Sequence, residues 1–300
     1  MNKLLVLSGK GGTGKTTISS ALIKLSKARL IADCDVDAPN LHLVMAQSMP
    51  PLQSEFVGGE KAVVNHDLCI GCLKCLNNCR FNAIRTINQK IKIQPFSCEG
   101  CGVCSYLCPT QAIILEKQVS GMKSLYLSER IFSTATLKMG EGNSGKLVSE
   151  VKKDLFAHAL TDEWMIVDGS PGIGCPVIAS LSGMDKVLIV SEASVSGFSD
   201  LKRLLHTIES FDIKVYVCVN KYDISHECTQ TIIDYCERLK ICFVGKIPFD
   251  YQAIKAINNG LSVVDVDCTA GRIIKEMYKM IFQEESSLDK GENYENCSIV

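Results

Sequence analysis

Sixteen cysteines stand in this 300-residue chain, and half of them fall between Cys69 and Cys108. They read Cys69-x2-Cys72-x2-Cys75-x3-Cys79 and then Cys98-x2-Cys101-x2-Cys104-x3-Cys108-Pro109. This spacing, twice over, is that of thiolates holding 4Fe–4S clusters. Three thiolates on a tight loop cap one face of a cluster, and the fourth is aimed at the other cluster. One cluster is therefore expected on Cys69, Cys72, Cys75 and Cys108, and the other on Cys98, Cys101, Cys104 and Cys79. Zinc would call for closed groups of four instead of interleaved runs. Gly71, Gly100 and Gly102 permit close backbone approach to sulfide. Arg80 stands where the second run has Pro109. It is read either as a cation that raises one cluster's potential or as a plain surface residue.

A second constellation occupies the start of the chain. Gly9-Lys10-Gly11-Gly12-Thr13-Gly14-Lys15-Thr16-Thr17 follows the apolar run Leu4–Leu7 and opens a helical pattern over 15–28. A strand, a glycine loop and a helix in that order make a phosphate cradle, with backbone N–H groups and the helix N-terminus facing the anion. Lys15 is expected at the β- and γ-phosphates and the Thr16 hydroxyl on Mg²⁺. Asp33, Asp35 and Asp37 end the next apolar run. Three carboxylates beside a phosphate site repel one another unless a cation lies between them, which is an independent reason to expect Mg²⁺. Trp164–Val167 reads as a strand ending in Asp168, followed by Gly169–Gly174, a glycine-rich switch that should sense the γ-phosphate.

These residues need a scaffold. Apolar runs at 4–7, 30–32, 164–167, 186–190, 215–219 and 241–245 read as strands. Helical patterns at 199–211, 228–239, 251–258 and 269–283 lie between or after them, and the alternation implies a parallel sheet wrapped by helices. A further helix is expected from the loop at 140–145 to about residue 160. From about 60 to 117 cysteines, glycines and short strands replace that rhythm. The expected organisation is a discontinuous α/β domain over 1–59 and 118–284, an insertion over 60–117, and a flexible polar tail over 285–300.

A hydrophobic fraction of 46% is ample for a core, and a net charge of −1 argues against nucleic acid as the main partner. Leu4–Leu7 is too short for a signal sequence and no apolar stretch is long enough to span a bilayer, so a cytoplasmic chain with reduced thiols is expected. Cys218, Cys236 and Cys242 read as small core residues. The five histidines lack ligand spacing and are given no role. Cys297-Ser298-Ile299-Val300 fits a prenylation box only superficially. The apolar stripe Ile273, Ile274, Met277, Met280 and Ile281 is expected to pack on the sheet in preference to lying on a membrane.

Lys10, directly after the first glycine, resembles the deviant Walker A loop of the MinD, ParA and nitrogenase-iron-protein superfamily, and the other superfamily segments follow in order. The cysteine segment is similar to the bacterial ferredoxins. The resemblance implies a doubly wound P-loop NTPase fold with a mostly parallel sheet and an inserted ferredoxin-like α+β domain. It implies ATP, Mg²⁺ and two 4Fe–4S clusters as cofactors, with Lys10, Lys15, Asp35 and Asp168 catalytic. Lys10 would reach a partner's nucleotide, in a homodimer or with a paired homologue. Asp35 would position the attacking water and contact Mg²⁺, and Asn220 would contact adenine. Cys175 lies seven residues after Asp168, the offset of a cluster ligand in the nitrogenase iron protein, but no second ligand accompanies it. Here it reads as a packed thiol or as an interface residue. The implied activity is ATP hydrolysis coupled to electron transfer, with an unidentified redox partner protein and no membrane association. The alternatives are an Mrp-type cluster carrier or a MinD-like spatial regulator with redox-sensing clusters.

Overall fold

The structure, a computed structural model, describes residues 2–45, 49–160 and 163–282. Residues 285–300, with Cys297, lie outside the described residues. The chain divides into two units: residues 1–53, 123–136 and 144–300 form the first, and residues 54–122 with 137–143 form the second.

The elements in chain order begin with β1 (Asn2–Ser8), α1 (Lys15–Ser26) and β2 (Leu30–Asp33). Next come β3 (Leu52–Val64), α2 (Lys74–Asn77), β4 (Ile84–Ile87), β5 (Lys90–Ile93) and α3 (Val103–Tyr106). β6 (Ile113–Leu127) and β7 (Ile131–Leu137) carry the chain back, followed by α4 (Ser144–Phe156). The remainder is β8 (Trp164–Pro171), α5 (Cys175–Leu181), β9 (Lys186–Glu192), α6 (Val195–Ile208), β10 (Lys214–Asn220), α7 (His226–Arg238), β11 (Cys242–Ile247), α8 (Tyr251–Asn258) and α9 (Thr269–Phe282).

In the first unit the strands run β11-β10-β9-β1-β8-β2-β7, every adjacent pair parallel. The order reverses at β1, so the crevice at its carboxyl end is where such a fold places a ligand. β1 and β8 are central and covered on both faces, hence their unbroken apolar runs, with Leu4, Leu5, Val6 and Ile166 fully buried. Ile18, Ala21 and Leu22 of α1 and Ile274, Met277 and Ile281 of α9 belong to the same core cluster. The apolar stripe of α9 thus packs inward through Ile273, Ile274, Met277 and Ile281, while Met280 is exposed. α6 starts at Val195, four residues before the expected 199, because the Ser194 hydroxyl accepts the Gly197 N–H at 3.0 Å and caps it.

The second unit holds a small core of Ala62, Cys75, Ile84, Ile91 and Ile113. β4 and β5 form an antiparallel hairpin in which Ile84 faces Ile93 and Arg85 faces Lys92. The unit extends to 54 and 122 and gathers 137–143, beyond the 60–117 read from the cysteines, because β3 and β6 run unbroken past both limits.

Candidate functional site

The glycine loop between β1 and α1 lines a cavity of about 720 Å³ in the first unit. Gly14 has φ +92°, and a Cβ there would collide with the Asn220 side-chain nitrogen, so the loop can close only on glycine. Lys15 is almost fully buried, with Nζ 2.7 Å from Asp168 Oδ1. Asp168 is the ion-pair partner of the Nζ, and the buried Thr13 hydroxyl has no hydrogen-bond partner among the described residues. A buried cation beside an unpaired hydroxyl on the cavity wall suits a polyanionic ligand.

Asp168 is fully buried at the end of the apolar part of β8. It accepts from the Thr16 hydroxyl at 2.8 Å and the Ser19 hydroxyl at 2.7 Å. Asp33 accepts from the N–H groups of Asp35, Asn40 and Leu41 and so shapes the turn after β2. Burial and the nearby Asp168 carboxylate push its pKa up to about 7. Asp35 lies on the cavity wall, its pKa raised chiefly by burial. Between Asp33 and Asp35, burial drives the Cys34 thiol up to about 12, leaving it an inert core group. Asp35, Thr16 and Asp37 line the cavity, while Asp33 is spent on backbone N–H groups.

Asn220 also reaches the cavity, with its amide donating to the Thr13 carbonyl at 2.7 Å. The far wall is made by Pro248, Phe249, Ala253 and Ile254, after β11. Sequence reasoning missed this wall. Its signal was position alone, a loop at the carboxyl end of a parallel strand. Lys10 points elsewhere, with Nζ 2.6 Å from Glu192 and 3.1 Å from the Ser196 hydroxyl. Neither partner was foreseen.

The first half of the glycine-rich segment after Asp168 remains strand, β8 ending at Pro171. The Ser170 hydroxyl donates to the Cys34 carbonyl, and Gly172 N–H donates to Ser8 at 2.9 Å. Cys175 opens α5 and is exposed, which sets aside the packed-thiol reading. The carboxyl end of α5 is held by a buried cation that was also missed. Lys152 of α4 donates to the carbonyls of Ala179, Ser180 and Ser182 at 2.9, 2.7 and 2.5 Å. Burial pulls its pKa down to about 8.

In the second unit the eight clustered cysteines line two separate cavities. Cys69, Cys72, Cys75 and Cys108 line one, and Cys79, Cys98, Cys101 and Cys104 line the other. Among the described residues no three His, Cys, Asp or Glu side chains converge tightly enough for a single metal ion. The two halves repeat in backbone detail. Cys79 Sγ accepts the Ala83 N–H at 3.3 Å, and Cys108 Sγ accepts the Ala112 N–H at 3.2 Å. Asn82 and Gln111, at matching places, have φ +51° and +52°. Cys98 Sγ accepts from Ala62 N–H at 3.4 Å. Burial raises the Cys75 and Cys104 thiols. At Cys108 burial also pushes upward, but hydrogen bonds from Thr110, Ala112 and Ile113 outweigh it and lower the pKa.

A match to the family described as CobQ/CobB/MinD/ParA nucleotide binding domain spans residues 4–263. An uncharacterized protein of Methanocaldococcus jannaschii is 34% identical over 286 residues, covering 93% of this chain and 96% of its own. The septum site-determining protein MinD of Escherichia coli is 24% identical, covering 94% of this chain and 91% of its own. The fold is shared with the septum site-determining protein MinD of Pyrococcus horikoshii complexed with Mg-ADP. The TM-score is 0.57 at 15% identity, over 97% of this chain and 99% of the other. Among the described residues no helix is long and apolar enough to cross a membrane. With its phosphate loop, acidic strand end and seven-stranded parallel order, the chain belongs to the CobQ/CobB/MinD/ParA nucleotide-binding family as a MinD/ParA-like ATPase.

Proposed function

We propose that this ATPase couples nucleotide hydrolysis to electron transfer through two 4Fe–4S clusters held in its second unit. The observation that carries the reading is the sorting of eight cysteines around two cavities. Each cavity takes three from one run and one from the other, as ferredoxin-type ligation requires. Cys69, Cys72, Cys75 and Cys108 would hold one cluster, and Cys79, Cys98, Cys101 and Cys104 the other. When bound, the clusters supply one-electron chemistry. The N–H groups of Ala62, Ala83 and Ala112 orient the sulfurs and stabilise their thiolate charge.

At the other site the loop N–H groups, the Lys15 ammonium and the Thr13 hydroxyl receive the phosphates of ATP. Thr16 and Asp35 would hold Mg²⁺, which neutralises phosphate charge. Asp35 orients the attacking water, and Lys10 serves the nucleotide of a second copy or a paired homologue. As Lys15 turns from Asp168 toward the phosphates, the segment Gly169–Gly174 shifts and carries α5 with it. α4, tied to α5 by Lys152, follows directly on residues 137–143 of the second unit. A reducing, cytoplasmic setting keeps the cysteines available as ligands.

Anaerobic reconstitution followed by iron and sulfide analysis tests the reading. We expect about eight of each per chain and the EPR signals of two reduced clusters. Zinc in their place, or no stable iron, overturns it.

A further inference from the structure

The charges of the second unit are unevenly spread. From Leu68 to Cys98 the chain carries Lys74, Arg80, Arg85, Lys90 and Lys92 and no Asp or Glu. All five cations are exposed. Three of them share one face of the β4–β5 hairpin. Arg85 lies directly across from Lys92, and Ile87 across from Lys90. Alternation puts these four on the same side, since Arg85 and Ile87, like Lys90 and Lys92, are two residues apart. Like charges placed directly opposite weaken a hairpin. Among the described residues no ion pair with a carboxylate offsets them.

The opposite face of the hairpin belongs to the cysteine cavities. Ile91 lines the cavity of Cys69, Cys72, Cys75 and Cys108, and Ile84 and Ile93 line the other. One face of this two-stranded ribbon therefore walls both cavities, and the other presents Arg85, Lys92 and Lys90, with the half-exposed Ile87 at the turn end. Self-repulsion tolerated on the outer face of a wall shared by both cavities calls for an anionic partner on the outside, and complementary charge is what steers and orients such a partner.

Resting on the reading that the cavities hold clusters, we propose that the outer face of the β4–β5 hairpin is the docking surface for an acidic one-electron carrier protein of the flavodoxin or ferredoxin class. One electron passes between the carrier and the nearer cluster. One centre is oxidised as the other is reduced, with no bond made and no proton moved. Electrostatic attraction to Arg85, Lys90 and Lys92 brings the carrier's acidic surface up to the hairpin, and Ile87 offers an apolar contact at its turn end.

The test uses the full-length protein, with iron content measured first. If the wild type takes up no iron, the cluster reading fails and the docking inference falls with it as a separate result. With iron present, an acidic flavodoxin is titrated against wild type, the charge reversal R85E/K90E/K92E and the neutral control R85Q/K90Q/K92Q. We expect at least tenfold weaker binding for the reversal, an intermediate loss for the glutamine variant, and a steep fall with salt for wild type. In stopped flow, reduced wild type is oxidised by anionic hexacyanoferrate(III) and by cationic tris(phenanthroline)cobalt(III). The reversal should slow the first and speed the second. A change in cluster potential alone would move both rates the same way and would overturn the proposal in favour of internal charge balance. Unchanged flavodoxin binding, or tighter binding of a single-stranded oligonucleotide than of flavodoxin, also overturns it.

Discussion

Lys10 Nζ lies 2.6 Å from the Glu192 carboxylate of its own chain, so the lysine that would serve a second nucleotide site is engaged at home. The pair is partly exposed and is worth about 0.2–1 kcal/mol. Glu192→Gln should free Lys10 and raise the ATP-dependent dimer fraction by up to about fivefold at subsaturating concentration, read by analytical ultracentrifugation. Lys10→Ala should keep nucleotide affinity but lose hydrolysis and the dimer. Unchanged association in both variants would remove Lys10 from the interface.

Lys15 is expected to behave differently, because its partner is buried. Lys15→Met removes a charge-assisted contact to phosphate. It should weaken ATP binding by about 1.5–3 kcal/mol, roughly 10- to 150-fold, measured with a fluorescent nucleotide. It also strands Asp168, fully buried, with only the Thr16 and Ser19 hydroxyls. The urea midpoint of the nucleotide-free variant should fall, and adding Asp168→Asn should restore part of it by removing the orphaned charge. A midpoint unmoved by Lys15→Met would show that the pair carries no stability.

The cavity linings make a prediction that counting cysteines cannot. Cys79→Ser should damage the same cluster as Cys101→Ser, and Cys108→Ser the same cluster as Cys72→Ser. Each variant should retain about four iron atoms per chain. The residual EPR signal should sort the four variants into those two pairs. Pairing by sequence order, Cys79 with Cys72, would refute the interleaving.

Lys152 gives a pH signature. Its folded pKa of about 8 lies below the ordinary lysine value of 10.5, so between those values the unfolded chain binds more protons than the folded one. Its contribution to stability therefore rises with pH across that window and is flat below about pH 8. Urea midpoints of wild type and Lys152→Met, compared from pH 7.5 to 9, should converge or diverge by this slope alone. Other groups, including buried thiols such as Cys218, are common to both proteins. Parallel profiles would mean that the α5 carbonyls keep Lys152 charged throughout.

Both motifs stand out in the sequence because each has fixed residue types at fixed short spacings. A phosphate cradle tolerates only glycine at a place such as Gly14, and a cluster loop demands cysteine at every third residue. What escaped notice is long-range or positional. Glu192 stands 182 positions from Lys10, and no local pattern marks it as a partner. Lys152 reads as one more lysine on a helix until the carbonyls at the end of α5 are seen around it. Phe249 follows an ordinary strand. Asn220, expected toward a base, lines the cavity and donates its amide to the Thr13 carbonyl. The strand character of Gly169–Pro171 was hidden because glycine and proline argue against strand from composition alone, whereas pairing with β1 imposes it.

The pairing of β1 has a consequence in time. Its neighbours are β8, where Asn2 meets Trp164, and β9, where Leu4 meets Lys186. On a chain made from the N-terminus, β1 waits for both before the central sheet can close. The second unit is complete at Asn143. At about 5–20 residues per second, the interval before β9 is finished lasts roughly 2–10 seconds. During it the cysteine unit has all its own contacts and the nucleotide site does not yet exist. Nascent chains can therefore fold their thiol cavities before the nucleotide site is assembled.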